Sequence, residues 1–182
     1  LACAWLVGDP SPAEWLMVPV TFLFANLVEY LGHRGPMHHR SKWFPQIYEH
    51  TRVHHGFYTD RCFGFEDARD FHALLLPRPF VVFFLGLCAA PVGTLLFTLV
   101  SPNAGALFTA TALAYFLCYE WLHLCYHCRE DATLLRLPFL KRLRRHHLVH
   151  HNNDVMGAVN FNITFPIFDW LLRTRAGERA IR

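Results

Sequence analysis

The chemistry in this chain sits in its histidines. There are 13 in 182 residues, and twelve of them fall into four compact groups. The groups are His33, His38 and His39; His50, His54 and His55; His123 and His127; and His146, His147, His150 and His151. On a helix, residues three or four apart share a face. His50 with His54, His123 with His127, and His147 with His150 and His151 therefore each present their imidazoles together. His33 and His38 are five apart, which an ideal helix splays by ~140°. Gly35 and Pro36 lie between them, and a helix end or distortion there would bring both rings to one point. Imidazole is a neutral nitrogen ligand near physiological pH. Ten residues are thus candidate metal ligands: His33, His38, His50, His54, His55, His123, His127, His147, His150 and His151. One tetrahedral zinc takes four protein ligands at most, so this number argues for two metals. A nitrogen-rich set suits iron, zinc, copper or nickel. His39 and His146 fall outside the ligand spacing, as second-layer partners or simple neighbours, and His72 stands alone as a hydrogen-bonded structural residue.

Competing chemistries fit less well. An expression tag or metal-scavenging tract is contiguous, whereas these residues are periodic and widely spread. A zincin protease needs H-E-x-x-H, and no histidine here precedes a glutamate. Haem ligation would need histidines within apolar spans on facing helices. Cys125 and Cys128 form a lone C-x-x-C at helical spacing, which does not read as a zinc or redox pair. Cys3, Cys88 and Cys118 lie in apolar runs, where a thiol behaves as a small hydrophobe.

The elements that must position these residues are apolar. Of the 182 residues, 53% are apolar and 17% carry charge, against roughly 25% charged in a soluble domain. This excludes a disordered or collagen-like chain. A net charge of +3 is modest, and no nucleic-acid partner is expected. Three stretches approach the length needed for a bilayer core of ~30 Å: residues 15–31, 80–100 and 104–122. Glu29 and Glu120 are their only charges. Pro91 interrupts the second, which a membrane helix tolerates because neighbours re-satisfy the freed carbonyl. Residues 1–8 read as the tail of a truncated fourth span. The chain starts at Leu1 inside that apolar run, and so reads as a fragment lacking its beginning. Ser11-Pro12-Ala13-Glu14 has the form of a capping box with proline at the first helical position.

Charge placement orients the spans. Every one of the 17 Lys and Arg residues lies in 34–78 or 129–182. With 80–122 as an out-and-back hairpin turning at Ser101-Pro102-Asn103, all of them land on one side. The positive-inside rule makes segments 32–79 and 123–182 cytoplasmic. Each histidine group lies in those two segments, at the inner ends of the spans. The expected fold is an all-α integral membrane bundle of two transmembrane hairpins, the first truncated. A cytosolic helical cap holds a di-metal histidine site, and the whole chain, 1–182, forms a single domain.

These residues resemble the fatty acid hydroxylase and sterol desaturase superfamily of membrane di-iron oxygenases, from Glu29-Tyr30-Leu31-Gly32-His33-Arg34 to Phe168-Asp169-Trp170. The family's ordered histidine boxes are matched by His33/His38, then His50/His54/His55, then His123/His127 after a membrane hairpin, then His147/His150/His151. Ile163-Thr164-Phe165-Pro166-Ile167-Phe168-Asp169-Trp170-Leu171 looks like the family's tail after the last box. One departure is that Asn160 and Asn162 flank Phe161 where the family usually has glycines. Such an amide either hydrogen-bonds water at the metals or caps the turn. The stretch His33-Arg34-Gly35-Pro36-Met37-His38 is also similar to carotenoid ring hydroxylases, which leaves subfamily and substrate open.

The resemblance implies two iron ions, with zinc an alternative occupant in purified protein, and no catalytic residues beyond the metal ligands. It implies hydroxylation or desaturation of an unactivated C–H bond in a lipid taken from the bilayer, a fatty acyl chain or sterol, with dioxygen and two electrons. No b-type cytochrome or ferredoxin-like segment lies in the 182 residues, so the electrons are expected from a separate b-type cytochrome or ferredoxin-like donor or from the missing N-terminal part. Glu49, Glu120, Asp154 and Asp169 could orient the imidazoles or serve surface roles. Lys141, Arg142, Arg144 and Arg145 could dock an acidic redox protein or contact anionic headgroups. The rival class, a non-catalytic metal-binding or transport protein, would place ligands near the midplane of the spans, and the three spans contain no histidine.

Overall fold

The computed structural model describes residues 7–40, 42, 45–76 and 78–176. Among them the chain is all-helical, with no strand. Residues 1–6 of the expected truncated span lie outside the described residues. Three helices are long and apolar enough to cross a membrane: α1 (Pro12–Met37), α3 (Val82–Leu99) and α4 (Pro102–Tyr126). Between α1 and α3 lies α2, a π-helical turn His50–His54 that runs on into His55–Phe57. After α4 come α5 (Pro138–His150) and the short α6 (Ile167–Leu171). The chain forms two compact units, one of residues 1–25 and 77–118, the other of residues 26–76 and 119–182.

The first unit is a helix hairpin with a polar clamp. The Ser11–Glu14 capping box forms as the spacing predicts, with each side chain bonded to the other's backbone. Glu14 also accepts from Ser101 Oγ (2.5 Å) and Asn103 Nδ2 (3.3 Å). Asn103 Oδ1 in turn accepts from the Gly8 amide at 3.0 Å. Together these bonds tie the turn before α1 to the turn between α3 and α4. Pro91 has no N–H to donate, and the stretch ahead of it, Val82–Ala89, is wound as a π-helix. Lower down, α3 and α4 approach closely because Gly105 faces the Phe97 backbone. A Cβ there would lie 2.6 Å from Phe97 Cα, so only glycine permits this spacing.

The second unit holds every histidine. Its core is aromatic and polar at once: Tyr30, Tyr58, Tyr126, Phe161 and Leu140 are fully buried beside buried imidazoles. Tyr126 donates to the Ile163 carbonyl at 2.9 Å, which fastens α4 to the segment before α6. Tyr58, Ala73 and Leu74 form a smaller cluster with Phe65, Phe71 and Leu124 against it.

Candidate metal centre

Four helical segments deliver the imidazoles. The end of α1 departs from α-helical winding at His33–Met37, and Pro36 sits inside this π-helical turn. A π turn adds about one residue per turn, so a five-residue spacing returns to nearly the same face. The rings of His33 and His38 accordingly lie 4.9 Å apart. In α2 the box residues His50 and His54 are four apart and share a face, with rings stacked at 4.8 Å. On α4, His123 and His127 lie at ordinary helical spacing with rings 5.0 Å apart. α5 ends in His147, His150 and the adjoining His151, all buried.

Nine of the ten candidate ligands gather into two sets. His54, His123, His127, His147 and His151 form one, and His33, His38, His55 and His150 the other, each with ring nitrogens within 4.8 Å of one another. His50 belongs to neither, although its Nε2 lies 3.2 Å from His33 Nε2. His39 and His72 are exposed and bond only local carbonyls, of Arg34 and Arg69.

The outer nitrogens show which way the rings are protonated. A carbonyl only accepts, so an Nδ1 bonded to one must carry the hydrogen. Six ligands are held by carbonyls: His123 on Leu74, and through Nδ1 His33 on Phe161 (2.5 Å), His54 on Ala73 (2.8 Å), His127 on Phe63 (2.6 Å), His150 on Val159 (2.8 Å) and His151 on Tyr58 (2.7 Å). The Nε2 atoms of these last five are then bare lone pairs. Yet Nε2 of His54 faces Nε2 of His151 at 3.1 Å, with no proton available between two neutral rings. His123 Nε2 lies 3.1 Å from His54 Nε2, and His147 Nε2 lies 3.1 Å from His151 Nε2. In the other set, His38 and His150 oppose Nε2 atoms at 3.0 Å. Where both atoms are bare, as for His54 and His151, the opposed lone pairs repel unless a cation lies between them. With metal–nitrogen bonds of ~2.0–2.1 Å, adjacent ligand nitrogens stand ~2.9–3.4 Å apart, which is the spacing seen. His55 has both ring nitrogens buried without a hydrogen-bond partner, and so has His147 Nδ1. Such orphans cost free energy unless something absent from the protein satisfies them. The donor set therefore fits metal cations.

Electrostatics keep the rings neutral. Burial, with repulsion from His33, His39 and His54 behind it, lowers the His38 imidazole to about 2. Burial also lowers His54 to about 3, against the opposing pull of the Ala73 carbonyl. His55, His147, His150 and His151 fall well below their ordinary values, again chiefly through burial and then through neighbouring imidazoles. A neutral imidazole is what a metal needs.

The carboxylates sort themselves out. Asp169 is fully buried and accepts from the amides of Phe161 (2.8 Å) and Asn162 (2.7 Å) and from Thr174 Oγ1 (2.8 Å). His146 Nε2 lies 3.2 Å from Oδ2, the oxygen that also takes the Asn162 amide. Burial raises the Asp169 carboxyl, but bonds from His146, Asn162 and Thr174 outweigh it and leave the group below its ordinary value. Asp169 touches no candidate ligand directly. It fixes the Phe161 peptide, whose carbonyl orients His33. Glu49 pairs with exposed Arg52, and the amide of Asp154 is held by Asn152. Glu29, read in the sequence only as a charge in an apolar run, binds the Ile163 and Thr164 amides and the Thr164 hydroxyl. A carboxylate within a span is itself a signal of such a role.

Asn160 and Asn162 take the turn-capping role. Asn160 adopts φ 57°, a left-handed conformation that asparagine tolerates, and its amide bonds the His146 and Ala176 carbonyls. Asn162 accepts from the Phe168 and Asp169 amides. Cys125 and Cys128 join neither histidine set; Cys128 Sγ bonds the Leu124 carbonyl.

Comparison with protein families matches residues 18–174 to the fatty acid hydroxylase family. That stretch contains every candidate ligand. The chain belongs to the fatty acid hydroxylase family. Among solved structures, this family member is similar to one described as full-length scs7p with only the hydroxylase domain visible. The two share 22% identity and a TM-score of 0.63, with 96% of this chain covered. The chain spans 61% of the length of that relative, and at this identity the likeness shows the fold. No curated protein matches the chain.

Proposed function

We propose that this hydroxylase-family chain is a membrane-bound di-iron oxygenase. It would hydroxylate or desaturate an unactivated C–H bond of a lipid, such as a fatty acyl chain or a sterol, with dioxygen and two electrons. The observation that carries the reading is the gathering of buried imidazoles into two separate sets with Nε2 atoms 3.0–3.1 Å apart, including His54 and His151, whose Nδ1 atoms are both held on carbonyls so that two bare Nε2 lone pairs face each other. His54, His123, His127, His147 and His151 would hold one iron, and His33, His38, His55 and His150 the other, with His50 beside His33. Bound iron supplies activation of dioxygen and the power to break a C–H bond. The chain supplies the rest. Its backbone carbonyls hold Nδ1–H of the ligand rings, which fixes each ring's tautomer and direction. Histidine also resists oxidation better than a thiolate would. The aromatic core around the rings excludes water.

Three apolar helices and the one-sided distribution of Lys and Arg support an integral membrane protein with the metal site on the cytoplasmic side. The electrons would come from a separate b-type cytochrome or ferredoxin-like donor. The test begins with metal analysis of detergent-purified protein, followed by iron loading, a reductant, a lipid panel and isotopically labelled dioxygen. Two irons per chain and labelled hydroxyl or a new double bond in the lipid are expected. One metal or fewer per chain, with His150→Ala leaving metal content unchanged, would overturn the assignment.

A further inference from the structure

α5 uses two faces. Leu140, His147 and His150 point into the second unit. The adjoining stripe of Phe139, Arg142, His146 and Val149 lines a groove of about 620 Å³ together with Phe165, Trp170 and Arg175. The groove is amphiphilic. Trp170 is 70% exposed and Phe139 53%, so two aromatic surfaces open onto the same groove and are rimmed by charge, the composition of an interaction site. Arg142, Arg145 and Arg175 also line it, all exposed, and no carboxylate is among the lining residues. Arg144 is not part of this rim. It turns inward, donating to the Tyr126 carbonyl at 2.9 Å and stacking over Phe63.

We propose that this groove binds the phosphate headgroup of an anionic membrane lipid. Arg142, Arg145 and Arg175 surround the phosphate, which guanidinium groups match with paired hydrogen bonds. Phe139, Phe165 and Trp170 pack against the glycerol backbone and first chain methylenes. Concavity and size favour a lipid over an acidic redox protein. A groove of this volume suits a small amphiphile, whereas a stable protein dock needs ~800 Å² of surface per partner. Aromatic and basic side chains together are also the composition of a membrane–water boundary, and a chain with three apolar helices long enough to cross a bilayer is never far from lipid.

The full chain is reconstituted in nanodiscs of phosphatidylcholine with and without phosphatidylglycerol, and lipid retained after release is counted by native mass spectrometry. The wild-type protein retains phosphatidylglycerol selectively. The triple variant Arg142→Gln, Arg145→Gln, Arg175→Gln loses that selectivity by roughly tenfold, while its metal content and melting temperature stay unchanged. Trp170→Ala weakens retention of phosphatidylglycerol without abolishing the preference for charge. Unchanged selectivity in the triple variant overturns the proposal. So does a variant that keeps its lipid but no longer binds a soluble acidic b-type cytochrome, because the groove is then a protein dock.

Discussion

Asp169 acts on the candidate ligands without touching one of their rings. Its carboxylate holds two amides, a hydroxyl and His146 from a fully buried position. Asp169→Asn replaces an acceptor-only group with one that also donates, leaving one amide unpaired. We expect a loss of about 2–4 kcal/mol in stability, measured by denaturant unfolding, and metal affinity lowered by ~10–100-fold through the misplaced Phe161 carbonyl. The imidazoles set a pH dependence of their own. Their folded values are depressed, to about 3 for His54 and about 2 for His38, against ~6.5 in an unfolded chain. The unfolded state takes up protons first as pH falls. Metal-free protein is therefore insensitive to these groups above ~pH 6.5 and loses about 1.4 kcal/mol per group per pH unit below it. Urea titrations of chelator-treated protein at neutral and mildly acidic pH measure this, and equal midpoints would contradict it.

At the scale of elements, the π-helical turn His33–Met37 decides whether His33 and His38 meet. The sequence shows a five-residue gap with Gly35 and Pro36 inside it, and so a distortion was legible, but not its kind. A wider winding was needed, because only that brings the fifth residue round to the first. Replacing Gly35-Pro36 with Ala-Ala favours regular α winding and turns His38 away by ~140°. The expected result is loss of metal from the set containing His33, His38, His55 and His150, with the other set still filled. Metal counting on the purified variant reads this directly. The turn before α1 is a contrary case. Ser11 and Glu14 are local in sequence, so their capping box was readable, whereas the Glu14 bonds to Ser101 and Asn103 join residues 87 and 89 positions apart. In the hairpin, Gly105→Leu places a side chain where the Phe97 backbone lies. It should lower the melting temperature while leaving the histidine sets able to bind metal.

For the whole molecule, the one-sided distribution of Lys and Arg makes a topological prediction. Cys62 is exposed in the histidine-bearing unit, and Ser101 lies in the turn between α3 and α4. In sealed vesicles of known orientation, an impermeant thiol reagent should reach Cys62 from the cytoplasmic side. It should reach a Ser101→Cys variant, in a Cys62→Ser background, only from the other side. Labelling of both from one side would refute the proposed arrangement.

Composition and spacing by themselves determined that the chain is helical and apolar, that its histidines form boxes, and that those boxes suit two metals. These properties are local or additive: helical periodicity, span length and charge counts need no knowledge of what packs on what. Tertiary structure decided which imidazoles share a set, leaving His50 outside both. It also decided that Phe161, Ala73, Leu74, Phe63, Val159 and Tyr58 are the carbonyls that fix ring direction, and that Asn160 and Asn162 cap a turn. The reason is physical. A backbone carbonyl is present at every residue, so nothing in the sequence marks which one meets a given ring until long-range packing brings them together.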